Sequence, residues 1–262
     1  MVSFMRLRTG LVALLLFGSG LCALIYQTTW LREFRLVFGA STAASAAVVG
    51  VFMAGLGFGG IVLGRRSETV GQPLAFYAKL ELFIAVTAAL SPLLIFAGRH
   101  IYIVLGGTQA MGMPFGTLVR LILAALIMAP PTFLMGGTLP AALRAVVARD
   151  DLARNTIGRL YGANALGAVT GVAAGTFYCF ENLGNRTTLW LAAVLNAMVA
   201  LAGFRLSKAT AGFRQKKELA SKPAIDERRA PANSKFVLIA AGIVGFAFFL
   251  MELVWYRMLG PL

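Results

Sequence analysis

Two carboxylates stand where carboxylates are expensive. Glu81 and Glu252 each interrupt a run of apolar residues long enough to cross a bilayer, and Gln27 occupies a comparable place in the first such run. A charge at that depth costs at least about 2.5–3.5 kcal/mol, so such a side chain faces a bundle interior or a cavity rather than lipid. Two readings follow for Gln27, Glu81 and Glu252. Either they line a polar cavity in which the carboxylates bind a cation or take up a coupling proton, or each hydrogen-bonds a neighbouring helix and locks its packing. Lys79 precedes Glu81 by two residues and so points to a different helix face.

Other chemistry is not legible. His100 is the single histidine, and Cys22 and Cys179 both sit in apolar runs without metal-ligand spacing, so no metal site or disulfide framework is expected. No phosphate-binding loop, zinc-protease helix or convergent Ser/His/Asp set occurs. The expectation is a chain that is not an enzyme and needs no cofactor.

The elements that must position these residues are membrane helices. The 262 residues are 59% hydrophobic and 13% charged, with a mean hydropathy of +0.80; soluble proteins average roughly 45–50% and about 25%. Seven runs approach the roughly 20 apolar residues that a crossing needs: Leu11 to Leu31, Ala43 to Leu63, Leu74 to Ala97, Leu118 to Leu143, Leu160 to Phe180, Thr188 to Leu206 and Phe236 to Leu259. The fourth holds Pro130, Pro131, Gly136, Gly137 and Pro140 and is expected to be broken. A signal peptide is disfavoured for the first, because its apolar character continues to Trp30 and its pattern recurs in the seventh.

The net charge of +14 would point to nucleic acid in a soluble protein. Its distribution says otherwise. With the runs as crossings, Arg32, Arg35, Arg99, Arg120, Arg186 and Arg257 fall on one side and the remaining basic residues, of 24 in all, on the other. The positive-inside rule makes the richer side cytoplasmic. The expected protein is therefore multi-pass, with a cytoplasmic N-terminus and an external C-terminus, and its partner is the lipid bilayer rather than nucleic acid. Residues 207–235 read as a basic cytoplasmic linker between a six-helix bundle, 1–206, and a seventh helix, 236–262.

An internal repeat links the ends of the chain. Gly20-Leu-Cys-Ala-Leu-Ile-Tyr-Gln27-Thr-Thr-Trp30-Leu-Arg32 aligns without a gap on Gly245-Phe-Ala-Phe-Phe-Leu-Met-Glu252-Leu-Val-Trp255-Tyr-Arg257. The seventh run therefore reads as the first helix of a second, parallel copy, as in transporters built from two six-helix halves. Trp30, Arg32, Trp255 and Arg257 read as interfacial anchors, an aromatic belt with snorkelling cations. Gly55, Gly59, Gly60, Gly64, Gly167, Gly171 and Gly175 recur at spacings of four, which allows close helix packing. Tyr161 and Asn164 form a weak candidate gating pair, and Asn164 and Asn196 are expected to hydrogen-bond between helices.

The segments GLCALIYQTTWLREFRLVFG, FMAGLGFGGIVLGRR, PPTFLMGGTLPAALRA and GRLYGANALGAVTGVAAGTF resemble the membrane portion of fused major-facilitator/spermidine-synthase-like proteins of bacteria. Gly60-Ile-Val-Leu-Gly64-Arg65-Arg66 is similar to the basic loop signature of major facilitators, without its acidic residue. The resemblance implies an all-α integral membrane fold, a major-facilitator-like six-helix half bundle plus a seventh transmembrane helix, in the bacterial inner membrane. It implies a transporter-like module for a polyamine or other small cationic solute with proton coupling, completed by a second half-bundle or an adjacent polypeptide. The rival expectations are a non-transporting membrane anchor for a spermidine-synthase-like soluble domain, absent from this chain, and a truncated fragment inactive alone.

Overall fold

In hydrocarbon, backbone N–H and C=O groups must be paired within the chain, and an apolar run does this by forming a helix. The computed structural model describes residues 2–38, 42–146 and 153–218, together with 239–240, 242–247, 250–251 and 254. No strand occurs among the described residues. The helices are α1 (Val2–Phe38), α2 (Thr42–Thr69), α3 (Pro73–Val104), α4 (Gly107–Gly136), α5 (Thr138–Val146), α6 (Ala153–Ala174) and α7 (Phe180–Glu218), with a π-helical turn at Gly175–Cys179 joining the last two. Five helical stretches are long and apolar enough to span a membrane, and this is a membrane-type helical protein.

The last of those stretches, Asn155–Thr210, has 56 residues. A straight helix of that size would be about 84 Å long, far beyond a bilayer core of about 30 Å. Gly184 divides it. Its φ of 73° and ψ of 172° lie in a region that an L side chain avoids, and the chain reverses there. Gly167 packs against Phe17 and Gly171 against Leu21, so α6 runs parallel to α1. Asn185 bonds Glu33 and Gly18 abuts Val199, so α7 runs antiparallel to it.

The same reasoning orders the other helices. Tyr77 reaches Leu15 and Trp30 reaches Ser91, so α1 and α3 are parallel. Gly98 faces Leu123 while Gly137 faces Leu80, so the α4–α5 unit is antiparallel to α3. Gly55 and Gly64 meet Thr132 and Pro140, so α2 runs with α4. Among the described residues the helical segments therefore alternate in direction, with the N-termini of α1, α3 and α6 and the C-termini of α2, α5 and α7 at one end.

Glycines set the closest helix pairs. A Cβ on Gly59 would overlap the Phe133 carbonyl, and one on Gly167 or Gly171 would overlap the carbonyl of Phe17 or Leu21. Gly55 faces the Thr132 side chain, Gly60 the Gly136 carbonyl, Gly64 Pro140, and Gly175 both Phe180 and Ile25. Backbones therefore touch along α1–α6 and α2–α4, the arrangement that small residues permit between membrane helices.

Several boundaries differ from the sequence expectation. α1 continues past Leu31 to Phe38. The fourth run is broken as expected, at Gly137 between α4 and α5. α7 continues through 207–218, the first part of the expected linker. Its Lys, Arg, Gln and Ala residues are good helix formers, and Thr210 bonds back to the Leu206 carbonyl at 2.9 Å. Arg65 and Arg66 belong to the last turns of α2 and are exposed. Of the seventh run, the described residues are helical, and most are exposed.

Gly57 and Gly59 provide a controlled comparison on one helix, since nothing lies within 4 Å of a Cβ on Gly57. Gly59→Ala is expected to destabilise the bundle by about 1–3 kcal/mol through overpacking. Gly57→Ala should leave it unchanged or slightly more stable. Thermal unfolding in detergent, followed by circular dichroism, checks both.

Candidate functional site: the carboxyl of Glu81

Three helices enclose Glu81. Tyr77 and Glu81, four apart on α3, share a face, and both are buried. On α1, Ser19, Cys22 and Tyr26 follow one another at helical spacing on a buried face, and α7 contributes buried Asn196. Ser19, Tyr77 and Asn196 are the polar side chains bordering the carboxyl, with Cys22 and Tyr26 one and two turns further along α1.

The hydrogen bonds of Tyr77 and Asn196 go to the main chain. The Tyr77 hydroxyl donates to the Leu15 carbonyl at 3.1 Å, and the Asn196 amide donates to the carbonyl of Glu81 itself at 2.7 Å. These bonds tie α3 to α1 and α7 around the acid. Glu81 is 1% exposed, and Ser19, Tyr77 and Asn196 lie close enough to interact with its carboxyl, although neither carboxyl oxygen makes a hydrogen bond of good geometry, nor does the Tyr26 hydroxyl. Lys79 is exposed. A carboxylate buried without a partner is the costliest form of a buried polar group. Chemically, it must carry a proton or hold a cation.

Beyond this cluster lies a second polar device. Pro92, inside α3, has no N–H to give the Ala88 carbonyl four residues earlier. The Ser91 hydroxyl donates to that carbonyl instead, at 2.7 Å, and accepts the indole N–H of Trp30 at 2.8 Å. Trp30 stacks on Tyr26 with centroids 5.7 Å apart and meets Phe52 at 6.5 Å. It is fully buried. The expectation of an interfacial Trp30 is therefore corrected: the indole fills the core at the proline of α3 and satisfies Ser91.

The remaining candidates are dispersed. Gln27 is buried but lies eight residues, about 12 Å, along α1 from Ser19, away from Glu81. Glu252, Trp255 and Arg257 lie outside the described residues. Arg32 is exposed, with its guanidinium carbon 4.5 Å from the centre of the Phe180 ring. Asn164 packs against α1 at Gly20, whereas Tyr161 is exposed. The pair straddles the edge of the α1–α6 contact and forms no interior cluster. Among the described residues, no group of three or more His, Cys, Asp or Glu could hold a metal ion.

Sequence reasoning found Glu81 but not its enclosure by Ser19, Tyr77 and Tyr26. The Tyr77–Glu81 spacing was a usable signal. The Ser19 pairing was not, because it depends on the register of α1 against α3. No family model matches the chain, and no curated protein or solved structure is significantly similar to it.

Because the Glu81 carboxyl makes no well-formed hydrogen bond and its burial penalises a charge, Glu81→Gln should unfold at the same temperature as the parent or higher. Trp30→Phe, which removes the indole N–H that Ser91 accepts and leaves a smaller ring in a fully buried site, should cost about 1–3 kcal/mol. Thermal unfolding in detergent distinguishes them; equal losses would mark Glu81 as a packing group.

Proposed function

We propose that the chain is a transporter-like membrane module that moves a small cationic solute, a polyamine being the favoured class, with Glu81 as its proton- or cation-exchanging group. One observation carries the reading: an acidic side chain buried between three membrane helices, among Ser19, Tyr77 and Asn196, with no well-formed hydrogen bond to either oxygen. An acid held this loosely can exchange a proton or a cation.

Small-residue contacts along α1–α6 and α2–α4 support relative helix movement, since smooth faces slide without interdigitated side chains. Alternating access by rocking needs two halves, and a second half-bundle, from another copy or an adjacent polypeptide, is the proposed partner. The proposed setting is the bacterial inner membrane with the N-terminal end cytoplasmic. Arg65, Arg66, Arg144, Arg205 and Lys208 gather at that end, consistent with the positive-inside rule. The spermidine-synthase-like resemblance supplies the solute class.

The test is uptake of labelled putrescine and spermidine into proteoliposomes holding the chain, with and without a pH gradient. Accumulation should follow the gradient in the parent. The roughly 2.5–3.5 kcal/mol at stake for a charge at this depth corresponds to about a hundredfold in occupancy, so gradient-driven accumulation should fall to background in Glu81→Gln. No uptake above protein-free liposomes would contradict the reading and leave membrane anchoring as the chain's role.

A further inference from the structure

A shallow, open cleft lies between α3 and α4 at the end opposite the N-terminus, with an enclosed volume of only about 10 Å³. Its floor is apolar, made by Phe34, Ile95, Leu123 and Ile127, and its polar lining includes Arg99 from α3 and Arg120 from α4. No acidic residue lines it. Antiparallel α3 and α4 bring these two arginines, 21 positions apart in sequence, to one site. We propose that this cleft binds the phosphate of an anionic phospholipid, with the first part of an acyl chain on the apolar floor.

Three observations lead there. Guanidinium groups present a planar fork of donors that matches phosphate oxygens. Arg120 is held in orientation, its Nε donating to the Gly116 carbonyl at 3.2 Å and its guanidinium carbon 5.2 Å from the centre of the Tyr102 ring. Depth agrees as well: Arg99 is five residues, about 8 Å, from the end of α3, where lipid phosphates meet acyl chains. Basic residues are scarce at this end of the protein, and the convergence of two in one cleft is not accounted for by topology.

The experiment measures the thermal stability of the purified chain in detergent on titration with phosphatidylglycerol, phosphatidylcholine or inorganic phosphate. Phosphatidylglycerol should stabilise the parent saturably, with the other two ineffective. Arg99→Gln and Arg120→Gln should each weaken that response by about tenfold or more, and Arg65→Gln, at the opposite end, should not. Arg99 is exposed, so its variant keeps the test informative if the Arg120 variant fails to fold. Equal stabilisation by phosphatidylcholine, an equal response to inorganic phosphate, or an undiminished phosphatidylglycerol response in Arg99→Gln would overturn the proposal.

Discussion

Lipid offers no hydrogen bonds, so each polar group that the chain carries into the membrane has to be met by another part of the chain. Pro92 makes the rule visible: the Ala88 carbonyl it orphans is taken by Ser91, and Ser91 in turn receives Trp30. The Tyr77 and Asn196 bonds follow the same logic, each crossing from one helix to the backbone of another. Apolar attraction does not drive membrane helices together. Such bonds and the glycine-lined contacts of α1–α6 and α2–α4 therefore carry the association.

Glu81 departs from that economy in the middle of the best-tied region. The bonds around it fix the positions of α1, α3 and α7, while its own oxygens make no well-formed hydrogen bond. The carboxyl is thus held at a constant place in a frame that does not depend on it. A group in that situation can change its occupant, proton or cation, without dismantling the fold. This separation of frame from occupant is what makes a transport role physically coherent.

The amino-acid pattern made some of this legible and hid the rest. An acid within an apolar run is conspicuous, which is why Glu81 was singled out from sequence. The apolar helices up to α7 were also readable, including the pair on either side of Gly184, because the polar residues between Phe180 and Thr188 interrupt the hydropathy there. Trp30 was misplaced because a tryptophan two residues before an arginine has the form of an interfacial anchor. Its real role rested on Ser91 and Pro92, and only the parallel register of α1 and α3 brings them together. The end of α7 was misjudged for a different reason: polarity signals an exit from the membrane, whereas helix propensity decides where the helix stops.

The central claim is that the Glu81 carboxyl exchanges its occupant when solute binds. Infrared difference spectroscopy of the chain in liposomes, before and after addition of putrescine, reads this directly through the carboxyl stretching bands. The account predicts loss of a protonated-carboxyl band and gain of a carboxylate band in the parent, both absent from Glu81→Gln. An unchanged spectrum on solute addition, or the same difference bands in the variant, would contradict it.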